Sequence, residues 1–501
     1  MMVANTIPLA WAEQWLKTPK QQYINGQWIE GTGPESWTVK NPANGQDLCV
    51  FSMASVEQVE MAAQLAHQCH ASKIWSKVSR TERANILRGI ANLIRDNTEK
   101  LALLETLPNG KLFSESMVDD IPTCADIFDY YAGWTDKLYG ETSPVDDGFL
   151  NYTLKEPVGV CGLIAPWNFP LYQASLKIAP ALAMGNTAII KPSEYTPLTM
   201  IYLMELIDSQ LDIPAGVINV LLASGQAANQ LTLSDNVHKI SFTGSTQVGQ
   251  KIVQNSGASN LKAATLELGG KSPCIFFGDT PDLDGATDRA FSVMFSHKGE
   301  KCSEPTRFLI HDSIYDAVLT KLIEKANAVK CGNPLEEGVD QGPQCNQAQF
   351  DKILEYIEIG KTEAELVAGG HADTEGDNAN GYFIRPTIFS EVSPDARIAQ
   401  EEIFGPVLSC IRFHTTEEAV AIANNTQYGL AAGLYTADVS RAHRVAEQLD
   451  AGMLFINRYG CYGLSAPFGG FKNSGWGKEM AIHSLSSYTK TKGVWVYFGE
   501  E

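Results

Sequence analysis

No stretch of the 501 residues approaches the roughly eighteen apolar residues that a membrane-spanning helix needs. Basic residues are in short supply. Lys and Arg total 38 against 58 Asp and Glu, which leaves a formal charge of −20. A chain this acidic is a poor general binder of nucleic acid or of anionic membrane, although a local positive site for a dinucleotide remains open to it. The ten cysteines lie singly, with no CxxC pair, which argues against a disulfide framework and for a reducing compartment. The nine histidines form no HExxH and no spaced cluster, so no metal is expected. Internal repeats and low-complexity segments are missing as well. The opening stretch MMVANTIPLAWAEQWLKTPK carries Glu13 and no basic residue ahead of an apolar run, so it does not read as a secretory leader; a cytoplasmic protein is expected.

What is present is ordinary globular composition, 44% hydrophobic and 19% charged, in a chain too long for one core. Residues 21–30 read as a hairpin turning at Asn25-Gly26. Residues 55–104 read as long helices with a short break. From about residue 158 strand and helix alternate. VGVCGLIAP, TAIIKPSE, GVINVLLA and VHKISFTG are the strands, and Thr196-Pro197 is a helix start. Such alternation predicts an α/β fold with mostly parallel sheet. A second α/β unit is expected from about Gly269. The C-terminal segment, with Val494, Val496 and Phe498 on one face, reads as a strand that pairs with an edge outside its own unit, which points to a partner subunit.

Several short motifs carry chemistry, each with an alternative. GSTQVG at 244–249 puts glycines at a strand end and helix start, a geometry that offers free N–H groups to a pyrophosphate. It is not GxGxxG, and a plain tight turn is the other reading. Lys191 and Glu194 suit ribose hydroxyls or a solvated loop. Glu267, in the apolar context LELGGK, is a general base or a paired structural carboxylate. Cys302 is flanked by Lys298, Lys301 and Arg307; nearby positive charge favours a thiolate, though most cysteines are not nucleophiles. Asn168 in APWNFP is a candidate donor or a turn residue.

Taken together, the strings APWNFP (165–170), GNTAIIKPSE (185–194), SFTGSTQVG (241–249), LELGGKSP (266–273), GEKC (299–302), EEIFGPV (401–407) and PFGGFKNSGWGKE (467–479) resemble the aldehyde dehydrogenase superfamily, in its hydrolytic, non-acylating branch. The resemblance runs from about residue 20 to about residue 490. It implies a Rossmann-like NAD(P)-binding domain (1–138 and 159–268), an α/β catalytic domain (269–482) and a small β oligomerisation element (139–158 and 483–501), assembled as a homodimer or homotetramer. It implies Cys302 as nucleophile, Glu267 as general base, Asn168 as oxyanion donor and Lys177 with Glu479 as a proton relay. It places NAD, with NADP less favoured, against Ala165, Trp167, Lys191, Glu194, Gly244, Ser245, Leu268, Glu402 and Phe404.

The substrate tunnel implied by the resemblance is formed by Asp119, Phe169, Leu176, Ser296, Lys301, Tyr459, Tyr462 and Phe468. Leu176 and Ser296 stand where relatives often carry aromatic rings, and Lys301 where a neutral residue is commoner. These departures predict a wider, more polar tunnel and a polar catabolic aldehyde, oxygenated or heterocyclic. Asp119 suits an aminoaldehyde or betaine aldehyde, Lys301 a semialdehyde bearing a carboxylate. Retention of Glu267 argues for hydrolysis over transfer to CoA, and Cys302 with Glu267 argues against a non-catalytic structural protein.

Overall fold

The computed structural model describes residues 8–499. The first seven residues of the stretch read for a leader, and the last two of the oligomerisation element, lie outside the described residues.

Two sheets organise the chain. In the first, five parallel strands lie in the spatial order Ile218–Val220, Thr187–Lys191, Val160–Ile164, Lys239–Thr243, Ala263–Glu267. Numbered along the chain this is 3-2-1-4-5. The order reverses between Val160–Ile164 and Lys239–Thr243, and connections leaving that point in opposite directions open a crevice at the strands' carboxyl ends. The residues that follow these two strands are Ala165 to Asn168 and Gly244-Ser245.

The expected hairpin forms between Gln22–Ile24 and Gln27–Ile29, with Asn25 and Gly26 both at positive φ (51° and 78°), and adds two antiparallel strands to one edge. The opposite edge is less expected. Gly475–Trp476, from the segment assigned to the catalytic unit, returns to pair antiparallel with Leu266 and Glu267. The helices predicted over 55–104 are Val56–Ser72, Arg80–Asp96 and Thr98–Asn109. The Thr196-Pro197 start is shifted by a residue: the helix runs Leu198–Gln210, and the Thr196 hydroxyl donates to the Trp167 carbonyl (3.3 Å) instead of capping it.

The second sheet has seven strands in the order Glu365–Ala368, Thr387–Ser390, Val407–Phe413, Arg307–His311, Pro273–Phe276, Ala431–Tyr435, Met453–Ile456, all parallel but the first. Cys302 lies in the loop entering Arg307–His311. A third sheet pairs the C-terminal strand Thr489–Tyr497 with Phe149–Pro157 over nine residues, and Phe149–Pro157 with Thr142–Ser143. The C-terminal strand thus leaves its own unit as expected, but Phe498 falls beyond its end.

Arg307 ties the second unit together. It is fully buried, and its guanidinium donates to the carbonyls of Lys271 (2.9 Å), Ile422 (2.9 Å) and Ala423 (2.8 Å). The last two lie in the final turn of the helix Thr416–Asn424, where helix carbonyls lack partners and a cation is favoured. Burial lowers its pKa to about 10, still charged at neutral pH. Arg307→Leu should strand these carbonyls and cost roughly 3 kcal/mol, on the scale of lost hydrogen bonds to a charged group. A guanidinium chloride midpoint equal to the parent's would refute this.

Candidate active site

A cavity of about 490 Å³ opens where the carboxyl ends of the first sheet face the Cys302 loop. Trp167, Asn168, Gly244, Ser245, Leu268, Glu402 and Phe404 line one part of it. Asp119, Phe169, Lys301, Tyr462 and Phe468 line the other, with Cys302 between them. Most of the residues singled out by sequence are therefore brought together from distant parts of the chain.

The Cys302 backbone is fixed from below. A side chain at Gly270 would collide with the Cys302 carbonyl oxygen, and one at Gly269 with the Glu402 carboxylate. The Gly270 N–H donates to Glu402 Oε1 (2.8 Å). Phe404 sits at φ 64°, a conformation that costs a residue with a side chain about 1 kcal/mol. Its ring meets Trp167 edge to face at 5.4 Å. Asn168 is held by its neighbours: Nδ2 donates to the Glu300 carbonyl (2.8 Å), and its own carbonyl accepts from Asn109 Nδ2 (3.3 Å). An amide has two N–H groups, so one remains for a ligand.

The expected thiolate stabilisation by neighbouring cations is not what the structure holds. Lys298 Nζ lies 2.9 Å from Glu300 and donates to Asn109. Lys301 Nζ is 3.0 Å from buried Glu304 and donates to Ser296 Oγ (2.7 Å). Arg307 is spent on carbonyls. Burial, followed by the carboxyls of Glu402, Glu267 and Glu304, pushes the Cys302 thiol well above the ordinary range.

Glu267 ends the strand Ala263–Glu267 and is buried, with neither carboxylate oxygen hydrogen-bonded within the protein. Burial, and then the Glu479 carboxylate, raises its pKa well above the usual carboxylate range; Lys177 and Lys478 pull the other way. Lys177, fully buried in the helix Pro170–Ala183, pairs with Glu479 and donates to Thr243 Oγ1 (2.7 Å). The Lys177–Glu479 pair is thus coupled electrostatically to Glu267.

Other positions divide. Ser245 caps the helix Thr246–Ala258 at the switch point, accepting from Val248 N (3.4 Å). Lys191 and Glu194 pair with each other (2.6 Å) and, with Ala165, lie outside the walls of the main cavity. Three expected tunnel residues are corrected. Leu176 is buried in the core, and the ring on that helix face is Tyr172, one turn earlier, which does line the cavity. Ser296 does not line the cavity and is bound to Lys301. Tyr459 is buried, donating to the Ser303 carbonyl (3.0 Å) and so bracing the segment behind the nucleophile. The walls near Cys302 are therefore more aromatic than the sequence departures predicted. Sequence reasoning missed Tyr172, Asn109 and Glu304. Helical spacing from Leu176 was a usable signal for Tyr172; nothing local marks the other two.

This arrangement is an α/β protein with a half-buried cysteine on a cavity between a doubly wound sheet and a second α/β unit. Residues 28–494 match the family model described as the aldehyde dehydrogenase family. Human aldehyde dehydrogenase 1A1 is 41% identical over 483 residues, covering 96% of this chain and 95% of that protein. The NAD⁺ complex of aldehyde dehydrogenase from Bacillus cereus superposes with a TM-score of 0.95 at 39% identity, covering 99% of each chain. The P. syringae indole-3-acetaldehyde dehydrogenase AldA, solved with NAD⁺ and IAA, gives 0.94 at 39% identity, covering 98% of this chain and all of that one. The chain belongs to the aldehyde dehydrogenase family, oxidoreductases that act on aldehydes.

The carboxyls around the thiol generate a prediction. Glu402→Gln removes the largest neighbouring carboxylate influence, so it should lower the thiol pKa and speed alkylation of Cys302 by iodoacetamide at pH 8. Lys301→Met should leave that rate nearly unchanged, because Lys301 serves Glu304. Peptide mapping of the alkylated site over a pH series is the measurement; a large slowing in Lys301→Met alone would restore the cation-stabilised thiolate.

Proposed function

We propose that the chain oxidises a polar aldehyde to its carboxylate with NAD⁺, through a thiohemiacetal and then a thioester on Cys302. The observation that carries this reading is Cys302 on an aromatic-walled cavity together with a buried carboxyl, Glu267, that has no hydrogen-bond partner in the protein.

The residues present suit a dinucleotide. Free N–H groups at the start of Thr246–Ala258 face the crevice beside Gly244 and Ser245, the setting a pyrophosphate takes. Glu402 and Phe404 would hold the nicotinamide end, with Trp167 and Leu268 on the cleft wall and Ala165 at the strand end. Lys191 and Glu194 would hold the adenosine ribose. Glu194 would repel a 2′-phosphate, which favours NAD⁺ over NADP⁺. When bound, the cofactor supplies the hydride acceptor.

Glu267 takes the thiol proton as Cys302 Sγ adds to the carbonyl carbon; its raised proton affinity makes it a strong base once ionised. The free Asn168 N–H and the Cys302 backbone N–H stabilise the alkoxide. Lys177 with Glu479 would carry the thiol proton away and return Glu267 to its ionised form, and Glu267 then accepts a proton from the water that hydrolyses the thioester. Hydrolysis by this carboxylate is preferred to acyl transfer to CoA.

For the substrate, the rings of Phe169, Tyr172, Tyr462 and Phe468 support a flat heterocyclic or oxygenated body, in keeping with the AldA neighbour. A second reading, an aminoaldehyde or betaine aldehyde, is supported by Asp119, an exposed acid on the cavity rim. Engagement of Lys301 by Glu304 counts against a semialdehyde carrying a carboxylate. We also propose a homodimer or homotetramer built on the third sheet, where Trp495, Tyr497 and Phe149 remain exposed.

NADH absorbance with an aldehyde panel, with and without CoA, tests this. Heterocyclic aldehydes should be oxidised without CoA, and kcat/KM should favour NAD⁺. Asp119→Asn should lower kcat/KM for aminoaldehydes by roughly five-fold, the scale of an exposed charge contact, and spare neutral rings. Strict dependence on CoA, or preference for NADP⁺, would overturn the reading. Aminoaldehydes as the best substrates would put the second reading first.

A further inference from the structure

Away from the catalytic cavity, a second cavity of about 300 Å³ lies where the helix Arg80–Asp96 meets the third sheet. Its walls include Ser79, Arg80, Arg83, Thr135, Lys155 and Thr489, and no acidic side chain. That is unusual in a chain of net charge −20, in which most buried or clustered cations are matched by carboxylates.

None of the three cations takes part in an ion pair among the described residues. Arg83 is 7% exposed; Nη1 donates to the carbonyls of Ser76 (3.2 Å) and Val78 (3.0 Å), and its buried Nε has no acceptor. Lys155 donates only to Thr491 Oγ1 (2.9 Å). Arg80 stands exposed at the mouth. Glu82, next to Arg83 in the chain, forms no ion pair with either arginine, and two other nearby acids pair elsewhere: Asp136 with Lys137 (2.9 Å) and Glu156 with Lys492 (2.5 Å). Burial and the nearby Arg80 both lower the Arg83 pKa, the mark of two like charges close together.

The helix start adds to the same field. Ser79 caps it, accepting from Glu82 N (3.1 Å), and the first-turn N–H groups of Arg80 and Thr81 have no helical partner. Three cations without an ion pair around one cavity, beside the free N–H groups of a helix start, make an oxyanion site. The volume accommodates a phosphate group with a short organic tail.

We propose that this cavity binds phosphate, free or as the headgroup of a small organic phosphate, at the junction of the third sheet and the helices behind the first. Because the walls include Pro157 and Thr489, from two paired strands of that sheet, an occupant would brace the sheet against the helix Arg80–Asp96. The site is independent of the aldehyde chemistry.

Isothermal titration calorimetry of the full chain with inorganic phosphate and with glycerol 3-phosphate tests it, beside the double variant Arg80→Gln/Lys155→Gln. Both substitutions are at exposed positions and outside the catalytic cavity, so folding and aldehyde oxidation should be unchanged. The parent should bind phosphate, and the double variant should bind it about ten-fold more weakly, as expected for losing two charge-assisted contacts. Tighter binding of glycerol 3-phosphate would identify an organic phosphate as the occupant; equal affinities would identify the free ion. Absence of binding in the parent, or equal affinity in the double variant, would overturn the proposal. So would sedimentation showing that the double variant changes its assembly whether or not phosphate is present, because the cations would then serve acids of a second copy.

Discussion

Carboxyl groups crowd the half-buried Cys302 and raise its thiol's hold on the proton, and the active site is arranged around that constraint. Cys302 is surrounded by Glu402, Glu267 and Glu304, and desolvation acts on all four groups in the direction of the neutral form. Such surroundings disfavour the thiolate, and the neighbouring Lys298 and Lys301 are paired with Glu300 and Glu304. Glu267, the base proposed for this thiol, is deeply buried, without a hydrogen-bond partner, and linked through Glu479 to a buried lysine.

The fold supplies the constraint by bringing two sheet ends together. The 3-2-1-4-5 order opens the crevice beside Asn168 and Ser245, and the second unit presents Cys302 across it. The two units are then locked by short-range geometry. Gly269 and Gly270 let Glu402 and the Cys302 carbonyl approach a backbone that any side chain would block. The crossing strand Gly475–Trp476 pairs alongside Leu266 and Glu267, and the next residue, Leu268, donates its N–H to the Ser474 carbonyl (2.9 Å), so a distant segment holds the strand end that carries Glu267. Arg307 fastens the start of the following strand to a helix end.

Much of this was legible in the residues. Asn25-Gly26 announced a hairpin, apolar runs after residue 158 announced parallel strands, and the C-terminal strand announced a partner edge; these are local signals of turn chemistry and periodicity. The coming together of Asn168, Glu267, Cys302 and Glu402 followed from the resemblance of their motifs and not from spacing. What stayed hidden depends on three-dimensional pairing. Lys298 and Lys301 look like thiolate partners in sequence, but their charges are taken by Glu300 and Glu304, a choice made by side-chain direction in a loop with His297 and Lys298 at positive φ. Leu176 suggested a missing ring until the helix showed Tyr172 on the cavity wall. Asn109, far from every motif, props the Asn168 loop.

The central claim is that Glu267 serves the half-buried Cys302 as base, most of all when water must release the acyl group. Intact-protein mass spectrometry of Glu267→Gln, quenched during turnover of an oxidised aldehyde with NAD⁺, tests it most directly. An amide cannot take the proton from water, so the variant should accumulate a covalent acyl adduct that maps to Cys302 and vanishes in Cys302→Ala. Unchanged turnover with no adduct would contradict the account and leave Glu267 a structural carboxyl.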